Sequence, residues 1–90
     1  MKRILEELRK KEAEMEVYEE AVDYWSSLPD PDPEKTDYYE NLADDTYEEV
    51  YNLFQQAADR IVSITAGKID KITAMRMMRA KRKEVERIFG

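Results

Sequence analysis

Apolar side chains recur along most of this chain at alternating steps of four and three residues, a period that only an α-helix turns into a continuous face. The first seam runs through Ile4, Leu8, Lys11, Met15, Tyr18, Val22 and Trp25, with one lysine where an apolar residue is due. The residues between are mostly Glu, Lys, Arg, Leu and Ala, strong helix formers, so a helix over about 2–28 is predicted. It must end before Pro29-Asp30-Pro31-Asp32-Pro33, because each proline removes a backbone donor and pushes the preceding residue toward extended geometry. Asp32 is placed to cap the next helix, with Pro33 at its first position and Thr36 as an alternative cap.

A second seam follows through Ala43, Tyr47, Val50, Phe54, Ala57, Ile61 and Ile64, predicting a helix over about 33–66 with Gly67 at the C′ position. Leu42, Tyr51, Leu53, Ala58 and Val62 widen its apolar surface, as for a helix covered from two sides. Asp44-Asp45-Thr46 followed by Glu48 resembles a capping box, so this helix has a candidate break near residues 44–46. The third seam, Met75, Met78, Arg82, Val85 and Phe89, predicts a helix over about 70–89, capped by Asp70 or Thr73. The expected fold is all-α: an antiparallel hairpin of two long helices plus a third, a three-helix bundle that becomes four if the second helix breaks. Ninety residues fit a single domain, 1–90.

Charge is unevenly distributed along the chain. Residues 1–66 carry seven basic against eighteen acidic side chains, while the remaining stretch carries eight basic against three acidic. On the expected third helix, Arg76, Arg79, Lys83 and Arg87 fall at steps of three, four and four and would share one face. Such a stripe can neutralise phosphates, pair with carboxylates of a partner protein or of the chain's own acidic body, or complement the helix dipole. No glycine loop or interleaved aromatic accompanies it, so sequence-specific nucleic-acid readout is not indicated. The acidic body invites the converse reading, a mimic of the phosphate backbone directed at a nucleic-acid-binding protein.

The chain has no cysteine and no histidine, which removes thiolate and imidazole chemistry, the commonest general base and the commonest soft metal ligands. Glu16, Glu19, Glu20 and Asp23 have a spacing that resembles the magnesium-binding helix of all-α nucleotide pyrophosphohydrolases, and Asp44, Asp45, Glu48 and Glu49 roughly match the second helix such a site needs. A solvated helix face explains both clusters. Asp30, Asp32 and Glu34 alternate like calcium-loop ligands, but prolines occupy the intervening positions and the turning glycine is missing. The expectation is therefore a protein that is not an enzyme, with no catalytic, cofactor-binding or metal-ligating residue and no small-molecule substrate. No apolar run approaches the roughly 18 residues of a membrane span, and a cytoplasmic location with no membrane partner is expected.

Protein partners or self-association remain. Tyr38, Tyr39, Tyr47 and Tyr51 crowd the first part of the second helix, where a ring buries its body and leaves its hydroxyl wet. Met75 and Met78 supply adaptable apolar contacts on the third helix. These six residues form the candidate interface. Tyr38-Tyr39-Glu40-Asn41-Leu42, then Asp59-Arg60-Ile61-Val62, Lys68-Ile69-Asp70-Lys71-Ile72 and the closing Glu86-Arg87-Ile88-Phe89 together resemble the helical domain of GINS-type replication complex subunits. The resemblance implies a scaffold role within a replication complex and no catalytic residues.

Overall fold

The computed structural model describes residues 1–90 and is all-helical, with four helices and no strand. They are α1 (Lys2–Ser26), α2 (Pro33–Ile64), α3 (Lys71–Ala80) and α4 (Arg82–Phe89). None is long and apolar enough to cross a membrane.

The proline-rich turn behaves as its chemistry requires. Asp32 caps α2, its Oδ1 accepting from the Lys35 N–H at 3.1 Å, while Pro33 holds the first helical position. Thr36 is not a cap; its hydroxyl donates to the Asp32 carbonyl at 2.8 Å. The expected break near residues 44–46 does not occur. Thr46 is buried and its hydroxyl donates to the Leu42 carbonyl at 2.8 Å, one turn back, so it bonds within the helix and starts no new one. The far end of α2 closes with two crossed bonds, Gly67 N–H to the Val62 carbonyl at 2.9 Å and Ala66 N–H to the Ser63 carbonyl at 3.2 Å. This is the Schellman arrangement, and it puts Ala66, not Gly67, at the left-handed C′ position, with φ of 52°.

The single helix expected over 70–89 is two. Asp70 caps α3 through the Thr73 N–H at 2.7 Å, and the helix ends at Lys81, whose backbone (φ −132°, ψ 42°) leaves helical geometry before α4 begins. Arg82, on the expected seam, folds back over the break: its Nε donates to the Met78 carbonyl at 3.1 Å and its guanidinium lies 4.8 Å from the centre of the Phe54 ring.

The chain forms two compact units, Met1–Arg9 with Tyr51–Gly90, and Lys10–Val50. The first holds nearly all of the core. Leu5 and Leu8 of α1, Leu53, Ala57, Ala58 and Ile61 of α2, Ala74 and Met78 of α3 and Val85 of α4 are buried there. Alanines at 57, 58 and 74 have no exposure, and small side chains at such points let helices pack closely. Arg9 joins α1 to α4 through Glu86 at 2.8 Å, and Lys71 joins α3 to α2 through Asp59 at 3.3 Å.

The second unit is a two-helix hairpin. Lys11 bonds Glu49 at 2.8 Å near its open end, and at its closed end the Asp32 N–H donates to the Trp25 carbonyl while Lys35 Nζ lies 4.0 Å from the Trp25 ring centre. These pairings fix the two helical stretches as antiparallel. Lys11, the charged residue inside the first seam, makes this bond across the hairpin and a second one within α1, to Glu14 at 3.3 Å. Only Thr46 and Val50 are buried in this unit. Met15, Tyr18, Val22, Trp25, Tyr39, Leu42 and Ala43 are half-buried, because two helices cover only one side of each other's apolar stripe.

Candidate interaction surfaces

The hairpin unit carries large apolar side chains outside as well as along its seam. Val17, Tyr24, Tyr38 and Tyr47 are each 60% exposed. Tyr38 meets Tyr39 edge to face with ring centres 5.1 Å apart, and Tyr24 meets Trp25 likewise at 5.0 Å, so the rings are held in place while their outer edges face solvent. On α1, Ala13, Val17 and Tyr24 lie on one exposed stripe, with Glu16, Glu20 and Asp23 beside them and no cation between Glu12 and Ser26.

The other unit presents an open groove of about 490 Å³. Tyr51 and Gln55, one turn apart on α2, and Ile72 and Met75 of α3 are among its lining residues. Lys71, Arg76 and Arg79 line it too, Lys71 paired with Asp59. Ile72 is the most exposed large apolar side chain of the chain, at 70%. The four α3 residues Ile72, Met75, Arg76 and Arg79 share a face because they recur at i, i+3, i+4 and i+7.

Of the residues singled out in sequence, Tyr51, Met75, Arg76 and Arg79 come together in this groove, whereas Tyr38, Tyr39 and Tyr47 belong to the hairpin unit. Met78 has no exposure and is core, which takes it out of the candidate interface. The basic stripe does not continue along one helix. Arg76 and Arg79 are on α3, Lys83 and Arg87 on α4, and the interruption at Lys81 separates the pairs. Arg87 is held by Glu84 at 3.2 Å, while Arg76, Arg79 and Lys83 are exposed with no carboxylate at ion-pair distance. Ile72, Lys71 and Val17 stand off the heptad seams and so were not among the candidate interface residues; for Ile72 the i, i+3, i+4, i+7 spacing with Met75, Arg76 and Arg79 is the sequence signal.

Two groups titrate away from their ordinary ranges. The Lys11 ammonium is raised, first by its bond to Glu49 and then by that to Glu14. The Asp70 carboxyl is lowered, first by the Thr73 backbone N–H and then by the Thr73 side chain, with a smaller contribution from Arg76. Glu16, Glu19, Glu20 and Asp23 are exposed along α1, as are Asp44, Asp45 and Glu48 along α2. No three carboxylates come together in an arrangement that would hold a metal ion.

Comparison with models of known protein families, with curated proteins and with solved structures yields no match.

Proposed function

We propose that this chain is a non-catalytic helical interaction protein, a scaffold that holds protein partners, copies of itself among them, against its exposed apolar faces. The observation that carries this reading is the thinness of the hairpin unit. Lys10–Val50 buries only Thr46 and Val50, yet exposes Val17, Tyr24, Tyr38 and Tyr47 to 60% each. Polypeptide units of roughly 40 residues seldom bury enough apolar surface to be stable without a disulfide, a metal or a partner. The chain has no cysteine to staple the hairpin, and a partner's surface would cover that stripe. Exposed tyrosines of this kind are enriched where proteins meet. The arrangement expected from sequence, a hairpin of the two long helices with the C-terminal segment folded on it, belongs to the same proposal, and a scaffold role is also what the resemblance to the GINS helical domain implies.

The test is affinity capture from the native host with the wild-type chain and with Tyr38→Ser/Tyr47→Ser, with and without nuclease treatment, followed by elution in rising salt. Protein partners retained by the wild type and lost from the double variant support the reading. Retention of nucleic acid alone, released along a steep salt slope, would overturn it in favour of phosphate binding through Arg76, Arg79 and Lys83.

A further inference from the structure

The two units carry opposite charge, and the division does not follow the order of the sequence. The unit made of Met1–Arg9 and Tyr51–Gly90 holds twelve basic and six acidic side chains; Lys10–Val50 holds three basic and fifteen acidic. Each unit also exposes an apolar feature suited to the other's charge. The groove is lined by the apolar Ile72 and Met75 and by the cations Lys71, Arg76 and Arg79. The α1 ridge has Val17 and Tyr24 as apolar studs, each 60% exposed, and Glu16, Glu20 and Asp23 alongside.

We propose that the groove of one copy receives the acidic α1 ridge of a second copy, joining molecules head to tail. The inference rests on the interaction reading above and names one partner and both faces. A ridge of Val17 and Tyr24 brings carboxylates to Arg76 and Arg79 as an apolar stud meets Ile72 and Met75, so both the electrostatic and the apolar requirements of the groove are met by the same segment. Val17 and Tyr24 are two helical turns apart, about 10 Å, and Ile72 to Arg79 is the same span on α3, so one stud meets Ile72 and Met75 while the other lies beside Arg79. Because the two faces are different surfaces, the contact is heterologous: every copy that uses its ridge still offers its groove, and assembly continues until a ring closes or concentration limits it.

Sedimentation velocity of the full chain tests this with two variants at exposed positions, Arg76→Glu/Arg79→Glu in the groove and Val17→Asp on the ridge. The wild type sediments as species that grow with concentration, and raising sodium chloride from about 0.05 to about 0.5 M, which shrinks the screening length severalfold, weakens association at least tenfold. Each variant alone is a monomer with unchanged helical circular dichroism. Mixed in equal amounts they form a dimer and stop there, because one contributes the only intact ridge and the other the only intact groove. A wild-type chain that stays monomeric in low salt up to about 1 mM, where even a contact of roughly −4 kcal/mol is half occupied, overturns the proposal. So does association that either variant leaves intact, or a mixture that grows past the dimer. A monomeric wild type that still captures nuclease-resistant protein partners overturns this inference alone and leaves the scaffold reading standing; a monomeric wild type whose Arg76 and Arg79 retain duplex DNA overturns both.

Discussion

Met78→Ala separates the two roles that sequence offers for the methionines of α3. Met78 has no exposure in the core that it shares with Ile61 and Val85, whereas Met75, three residues earlier, is half-buried and lines the groove. Truncating a fully buried methionine removes its transfer free energy and leaves a cavity that neighbouring helices only partly fill, a cost of about 2–5 kcal/mol. A chain of this length has a total stability of about 5–13 kcal/mol, and each kcal/mol moves the melting temperature by about 4–8 °C. Met78→Ala should therefore melt at least about 8 °C below the wild type, with a matching fall in urea midpoint. Met78→Leu, which nearly conserves volume, should cost under about 1.5 kcal/mol. Met75→Ala should barely change the melt and should instead weaken self-association. Thermal melts followed by far-ultraviolet circular dichroism, with sedimentation of the same samples, read both effects. A Met78→Ala melt within about 2 °C of wild type, too small for a filled core site, would refute the assignment of Met78 to the interior. A larger loss from Met75→Ala than from Met78→Ala would refute it as well.

Two further outcomes follow from the helix ends. Asp70→Ala removes the carboxylate that accepts from Thr73, and because the folded-state pKa of Asp70 is lowered, its contribution is present above the ordinary carboxylate range and is lost as pH falls through the lowered value; the melting difference from wild type should be present at neutral pH and vanish in strong acid. Ala66→Gly should raise stability by about 0.5–1 kcal/mol, since an L side chain in the left-handed region costs about 1–2 kcal/mol and glycine returns part of that as chain entropy; an unchanged or lower urea midpoint would contradict the assignment of Ala66 to the C′ position.

Helix type and the ends marked by strong local chemistry were legible in the amino acids alone. Period, proline and the Asp32 and Asp70 caps act within one turn, so their effect is decided locally. Thr46 misled for the same reason. Its capping-box pattern is real, but a threonine hydroxyl has two uses, an N-cap or a bond to the carbonyl one turn back, and burial inside the continuous α2 selects the second. The interruption at Lys81 had no local signal, since Lys81-Arg82-Lys83-Glu84 contains no proline, glycine or capping side chain. The break accompanies tertiary features: Arg82 lies over Phe54 and bonds the Met78 carbonyl, Val85 is buried and Glu86 meets Arg9. None of those pairings is visible as a period.

The same limit governs the charge. Read along the chain, the balance changes sign near Gly67 and describes an acidic body with a basic end. In space, Lys2, Arg3 and Arg9 belong with the C-terminal helices, because Leu5 and Leu8 are buried in that unit's core and Arg9 reaches Glu86. These three cations and Arg60, all of which linear order assigned to the acidic part, thus add to the basic unit, and the hairpin is left with Lys10, Lys11 and Lys35 against fifteen carboxylates. Of these three, Lys11 is engaged by Glu49 and Glu14, and Lys35 by the Trp25 ring. No cation lies between Glu12 and Ser26 on α1. The charge that a partner meets along that ridge is therefore set by the glutamates together with the engagement of Lys11 by Glu49 and Glu14, while Lys2, Arg3 and Arg9 count with the unit whose core holds Leu5 and Leu8.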